Sequence, residues 1–398
     1  MGDSPAPPGR RLALWGLLAV LALAATFALC RNIDFRVYWY GARAYAEHAA
    51  PLYGPRSGLG FPLHYRYPPV TYLLIEPLRW LPLRWAGYFW VLGSWGACAA
   101  VVALAVYTAR LRFTAIAIAA ASAYLIAYVV LAIRAGNVQP YVIAMIFAAL
   151  LLAESRPLLA AVLLALAITF KIWPLFFLPW FLRAGRRAVL AWLAPALLVL
   201  WLAPLVVWSP ATYVDLLKQW YVSEFQSATA YSELWYYPGQ SLRGILLRYW
   251  STADPWLKGF PDIHWLTLAP AQVVRIWELI SAAIYAAACW AMLRADGKSR
   301  WTWDAIAFAL FTLLQPFCAK SSMISMGPPA LLAASLYSTR SDGLARRLFL
   351  GACALSFVGA AAQYRPLLNW LLAVGVDFYA GLLLLAALLV WSQRPGQV

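Results

Sequence analysis

The chain has 398 residues, of which 64% are hydrophobic and 12% charged, and its formal net charge is +16. Soluble globular domains average roughly 45–50% apolar and about 25% charged residues, so a water-soluble fold is excluded and most of the chain must face lipid or other membrane helices. The apolar stretches are continuous rather than alternating, which excludes a membrane β-barrel. The bases lie between those stretches, where anionic lipid rather than nucleic acid is their partner.

The expected fold is all-α: a polytopic transmembrane helical bundle forming a single domain over residues 1–398. It should have about 11–12 membrane segments and two large extracytoplasmic loops containing interfacial helices. Arg10 and Arg11 precede an apolar stretch that reads as an uncleaved first span, Leu12–Leu29. The distribution of loop bases places the N-terminus inside and residues 30–83 outside. That loop opens with NIDFRVYWYGARAY, residues 32–45. Asp34, Tyr38, Gly41 and Tyr45, with Val37, Ala42 and Ala46, recur at helical spacing on one face, while Arg36, Tyr40, Arg43 and Glu47 fall on the other. The pattern predicts an amphipathic helix on the outer membrane surface, with Trp39 at the interface. Asp34, in its first turn, is either a helix cap, as Asn32 could also be, or a group with a chemical task. Further on, Tyr67-Pro68-Pro69 introduces a short apolar segment, Val70–Leu81, which places His64, Arg66 and Glu76 near apolar depth.

Spans are then expected at Trp85–Tyr107, Phe113–Ile133 and Tyr141–Leu152, the last two separated by AGNVQP. Two shorter stretches, Leu158–Phe170 and Ile172–Leu182, flank Lys171 and form either a short hairpin or one long tilted helix. A span at Ala188–Trp208 leads to the second outside loop, residues 209–269, where Tyr236, Tyr237, Gln240, Ser241 and Arg243 suit the lining of a sugar or headgroup pocket. Four spans near 272–294, 301–318, 323–338 and 346–363 follow, and a last one covers 367–391. Lys171 and Lys320 sit at membrane level, where an ionisable group is costly and is a functional hypothesis by default. Asp377 reads as a structural partner of Arg365 or of a hydroxyl.

Familiar catalytic motifs are absent. The chain has no GxxxxGK[ST], HExxH or GxSxG, and His48, His64 and His264 lack metal-ligand spacing. The five cysteines also lack such spacing and read as small buried hydrophobes. The chemistry expected is that of a carboxylate and bases acting on a substrate that already carries its leaving group, with no metal and no cofactor.

Asp34, Phe35, Val37, Tyr38, Gly41 and Ala42 form a D-F-x-V-Y-x-x-G-A pattern. Tyr67-Pro68-Pro69, Gly136-Asn137-Val138-Gln139, Lys171-Ile172-Trp173-Pro174 and Gln240-Ser241-Leu242-Arg243-Gly244 follow it in order. This ordered set resembles the polyprenyl-phosphate-sugar-dependent enzymes of glycosyltransferase family 87, in the GT-C superfamily. The resemblance implies a bundle of GT-C type and inverting transfer of a sugar, most often mannose, from a polyprenyl-phosphate donor. The acceptor would be a glycolipid or polysaccharide hydroxyl, reached on the periplasmic or extracellular side of a bacterial inner (plasma) membrane. It makes Asp34 the general base. Arg243, Lys171 and Lys320, followed by Arg66 and His64, become candidates for the donor phosphate. Tyr38, Tyr236, Tyr237, Gln240, Ser241, Asn137 and Gln139 become candidates for the sugar or acceptor. One departure is LLQPFCAKSSMISMGPP, residues 313–329, which carries no histidine where family members often have one. The competing reading is a transporter or flippase for an anionic polyprenyl lipid, which would show paired repeats that the chain lacks.

Overall fold

The computed structural model describes residues 24, 32–47, 53, 65–107, 110–183, 185–223, 239–252, 260–295, 300–362 and 364–393. His64, Tyr236, Tyr237 and all of Leu12–Leu29 except Ala24 lie outside the described residues. The helices are α1 (Ile33–Ala46), α2 (Val70–Arg79), α3 (Leu83–Tyr107), α4 (Ala115–Ala135), α5 (Gln139–Leu152), α6 (Pro157–Phe170), α7 (Ala188–Leu202) and α8 (Pro210–Tyr221). They continue with α9 (Leu242–Trp250), α10 (Pro270–Arg294), α11 (Arg300–Leu314), α12 (Gly327–Thr339), α13 (Gly343–Ala361), α14 (Arg365–Val374) and α15 (Val376–Ser392). Among the described residues, three 3-10 helices, Trp173–Leu182, Ala203–Val206 and Lys320–Met326, interrupt the series.

The protein is an all-α polytopic bundle. Among the described residues, five helices are long and apolar enough to cross a membrane: α3, α4, α7 with its 3-10 extension, α10 and α13. Burial separates their roles. Every residue of α11 from Thr302 to Leu314 is buried, so this helix is central. By contrast α10 buries only Val273 and Met292 and presents apolar side chains outward nearly all round, as a lipid-facing helix does. The α13 helix packs along α15 and α4, while α5 lies between α3 and α6.

The stretch around Lys171 is a hairpin. Helix α6 ends there, with Lys171 in extended backbone (φ −145, ψ 130), and the 3-10 helix begins at Trp173. Fourteen α-helical residues rise roughly 21 Å and ten 3-10 residues roughly 20 Å, so the second leg returns to the level where the first began. Accordingly Gly185, past the second leg, lies against Glu154, before the first: a Cβ there would sit 3.2 Å from Glu154 Cγ.

Two expectations are corrected. The last span, predicted as continuous over 367–391, is broken into α14 and α15, bent by 48°. Gly375 makes the break: its φ is +88, and a Cβ there would meet Ile245 Cδ1 at 2.0 Å, so only glycine accommodates both the conformation and the contact. Trp39 does not present its ring at the surface of the bundle. It is buried, and its Nε1 donates to Leu81 O at 3.2 Å, because α2 covers that side of α1. The exposed face of α1 is otherwise as expected, with Arg36 and Arg43 outward and Arg43 paired to Glu47 at 2.6 Å.

The hairpin base, α7 and α11 meet at a basic end of the bundle. Arg186 donates to both carboxylate oxygens of Asp304, at 2.8 and 2.7 Å, with the two side chains 0% and 3% exposed. Arg300 pairs with Glu154 beside them. Breaking a buried pair leaves a charge without compensation, which costs about 3–5 kcal/mol, whereas replacing both members by apolar residues is often neutral. Asp304→Ala should therefore lower the thermal unfolding midpoint in detergent sharply, and Asp304→Leu with Arg186→Met should recover most of the loss.

Candidate active site

The opposite end is built on the turn between α4 and α5. Gly136 ends α4 in the left-handed region (φ +70), with Gly136 N bonded to Ile133 O and Asn137 N to Ala132 O, each at 3.0 Å. This pair of bonds satisfies two of the last carbonyls of α4. The next carbonyl, Arg134 O, accepts from Asn32 N at 3.0 Å, which seats the start of α1 on the turn, and Trp90 Nε1 donates to Gly136 O at 2.8 Å. The approach is so close that a Cβ on Gly136 would fall 2.8 Å from Phe35 Cβ.

Asp34 is thereby held over Asn137, whose Nδ2 donates to Asp34 Oδ2 at 2.7 Å. The capping alternative does not apply: Asn32 occupies the N-cap in left-handed backbone with no side-chain cap bond, and Asp34 spends its bond on Asn137. From Asn137 a chain of hydrogen bonds continues. Asn137 Oδ1 accepts from Gln139 N at 2.8 Å, and Gln139 Oε1 accepts from Lys171 Nζ at 2.6 Å. Gln139 Nε2 donates to Ser325 Oγ at 2.7 Å, anchoring the amide to the 3-10 helix Lys320–Met326. Gln139 is itself fully buried, and its side chain bridges Lys171 and Ser325. Burial raises the pKa of the Asp34 carboxyl above its ordinary value of 3.8, against the opposing pulls of Asn137 and Lys171. Lys171, beyond the last residue of α6, is pushed by burial down to about 8, with the Asp34 charge opposing.

Lys171 also faces a cavity of about 580 Å³, whose wall carries Arg66 and Arg243 as well. Three of the predicted phosphate candidates thus share one space, with Glu278 the acid on its wall and Tyr67, Trp173, Trp220, Trp277 and Phe317 supplying aromatic faces. Trp173, Trp277, Gln315 and Pro316 also line a second, apolar space of about 190 Å³ between the 3-10 helix Trp173–Leu182, α10 and α11. The polar cavity therefore adjoins an apolar groove that follows a lipid-facing helix.

Arg243 reaches the cavity because α9 is pinned to the break in the last span. Helix α14 ends at Gly375 with carbonyls that have no helical partner, and α9 and the residue before its cap supply the donors. Gln240 Nε2 bonds Leu372 O (3.0 Å), Arg248 Nε bonds Ala373 O (2.8 Å) and Tyr249 Oη bonds Val374 O (3.0 Å). Gln240 is fully buried in this task. Ser241, also buried, caps α9 by accepting from Gly244 N at 3.3 Å. Tyr38 is buried with its hydroxyl 2.7 Å from that of Tyr67, which lines the cavity. Lys320 is not brought to the cavity wall: it lies 3.3 Å from Asp377 and donates to Gly359 O at 3.0 Å. Asp377, expected to pair with Arg365 or a hydroxyl, accepts from Tyr128 Oη at 2.9 Å and pairs with Lys320 instead of Arg365.

Sequence reasoning missed Ser325, Glu278, Trp277 and Phe317. A usable signal existed for Trp277 and Glu278, which put a polar edge and an acid inside an otherwise apolar span. None existed for Ser325, since a serine in a membrane segment is commonplace.

The model of one protein family, described as Glycosyltransferase family 87, matches residues 65–316, well over half of the chain. The match contains Asn137, Gln139, Lys171 and Arg243, begins after Asp34 and ends before Lys320. No curated protein and no solved structure matches the chain.

The geometry predicts a bell-shaped pH profile for any activity that uses ionised Asp34 and charged Lys171. Asp34 loses its charge as pH falls through a value above 3.8, and Lys171 loses its own as pH rises through about 8. In a pH–rate measurement, Lys171→Arg should move the alkaline limb upward, because arginine stays charged.

Proposed function

The chain belongs to glycosyltransferase family 87, and from that premise we propose that it is an inverting membrane transferase using a polyprenyl-phosphate sugar. That it is a glycosyltransferase in a multi-pass membrane protein follows from the family and the apolar helices. The donor class rests on one observation above all: a cavity walled by Arg66, Lys171 and Arg243 adjoins an apolar groove beside lipid-facing α10. Cations beside a lipid-accessible apolar groove suit an amphipathic donor whose anionic phosphate joins an isoprenoid tail to a sugar. The choice of mannose as the sugar, and of a glycolipid or polysaccharide as the acceptor, rests on the family resemblance.

In the proposed reaction, the oxygen of an acceptor hydroxyl forms a bond to the anomeric carbon from the face opposite the phosphate. The bond from that carbon to the phosphate oxygen breaks, and its electron pair leaves with the phosphate. The hydroxyl proton passes to Asp34, which Asn137 holds in place. The phosphate gains negative charge as the bond breaks, so fixed cations bind the transition state more tightly than the ground state. Lys171 is aimed by Gln139 and suited to this task, with Arg66 and Arg243 on the same wall.

Charge at the other end supports one side of the membrane. Arg183, Arg186, Arg187 and Arg300 gather at the end remote from Asp34, and short basic connections favour the cytoplasm. The site then faces the periplasm or the cell exterior. The test is transfer from radiolabelled polyprenyl-phosphate mannose in membranes. Asp34→Asn keeps a polar group beside Asn137 but removes the base, and should lower transfer by about 10²–10⁴-fold at normal expression. An Asp34→Asn enzyme of full activity would sink the base assignment. Wild-type membranes that move no sugar from any polyprenyl-phosphate donor would sink the donor assignment and favour lipid transport.

A further inference from the structure

Arg243 is held differently from the buried Arg186 and Arg248. Arg186 is taken up by a carboxylate and Arg248 by the carbonyls of Gly239 and Ala373. Arg243 makes neither a hydrogen bond nor an ion pair with any described residue, and its Nε is buried without an acceptor. Instead its guanidinium carbon lies 5.5 Å from the ring centre of Trp277 and 5.3 Å from that of Phe317. Both contacts are within cation–π range. Ring contacts take up no hydrogen-bond donor, so the terminal nitrogens of the guanidinium stay available, and their planar fork matches two oxygens of a phosphate.

The two rings come from separate elements, and each is tied to α9. Phe317 lies in the segment joining α11 to the 3-10 helix Lys320–Met326. There Ser241 Oγ donates to Pro316 O at 3.3 Å, Gln240 N bonds Cys318 O, and Gly239 pairs with Ala319. Trp277, on α10, packs against the small cluster of Leu246, Leu247 and Val273 that joins α9 to α10. Trp277 is also one of the residues shared by the polar cavity and the apolar groove.

We infer that Trp277 and Phe317 are positioning residues for a lipid phosphate. Together they hold the Arg243 guanidinium so that its donors meet the phosphate where headgroup and tail join. The identity of the ligand rests on the donor class proposed above; the clamp itself rests on the ring geometry. An ammonium is a point charge without the planar fork of donors, so lysine cannot replace Arg243 in meeting two phosphate oxygens.

The test is binding of a polyprenyl monophosphate carrying no sugar, measured by titration calorimetry on the purified full chain in detergent, with transfer kinetics run alongside. Arg243→Lys, Trp277→Ala and Phe317→Leu should each weaken binding about tenfold or more, while Trp277→Phe, which keeps a ring over the guanidinium, should stay within about threefold of wild type. Phe317→Leu retains apolar bulk without a ring, so its loss separates ring electrostatics from packing. In transfer assays the same three variants should lower kcat/KM, with Trp277→Phe restoring it. The clamp is overturned if Trp277→Phe binds as weakly as Trp277→Ala, if Arg243→Lys or Phe317→Leu binds like wild type, or if wild type fails to bind the probe. A wild-type chain that binds the probe with the expected variant pattern yet transfers no sugar leaves the clamp standing and sinks the donor assignment alone.

Discussion

A helix that ends within a membrane protein leaves its last carbonyls without partners, and lipid offers no water to replace them. This constraint organises the site. Helix α4 ends at Gly136, and its carbonyls are met by the turn itself and by the backbone of Asn32. Helix α14 ends at Gly375, and its carbonyls are met by Gln240, Arg248 and Tyr249. Each solution carries a functional candidate with it. The first brings Asp34 over Asn137, and the second brings α9, and so Arg243, to the cavity. The glycines are required on two counts, because both occupy left-handed backbone and both are approached too closely for any Cβ.

The manner in which charges are partnered separates scaffold from site. Arg186 meets Asp304 directly and through two bonds, and Lys320 lies directly against Asp377. Such pairs neutralise each other and leave little capacity for a ligand. Asp34 and Lys171 are joined differently, through the amides of Asn137 and Gln139. Amides fix position without cancelling charge. The carboxylate keeps an oxygen for a proton, and the ammonium keeps donors for an anion. Arg243 goes a step further, since aromatic rings hold it and take up none of its donors.

Much of the architecture was legible because membrane spans announce themselves by length and apolar composition. Leu83–Tyr107 and Ala115–Ala135 fall within two residues of their expected bounds. The first-turn position of Asp34 was also legible, since helical periodicity is a local property of the sequence. The break in the last span was not, although Gly375 was visible, because a glycine inside an apolar stretch is as compatible with a continuous helix. The left-handed backbone at Gly375 and the close approach of Ile245, from a segment 130 positions away, are visible only in the fold. Distance in sequence also hid the hydrogen bonds of Gln240 to Leu372 and of Ser241 to Pro316.

The sequence by itself determined that this chain lives in a membrane, that it is all-helical, and that its polar motifs follow the order found in a glycosyltransferase family. These properties depend on composition, local periodicity and residue order, none of which needs a partner from elsewhere in the chain. Only the tertiary structure decided which cations share a space, because a lysine at membrane level reads alike whether an amide aims it or an aspartate consumes it. Lys171 and Lys320 were equal in sequence. Gln139 and Asp377, brought in by helix packing from distant positions, made them different.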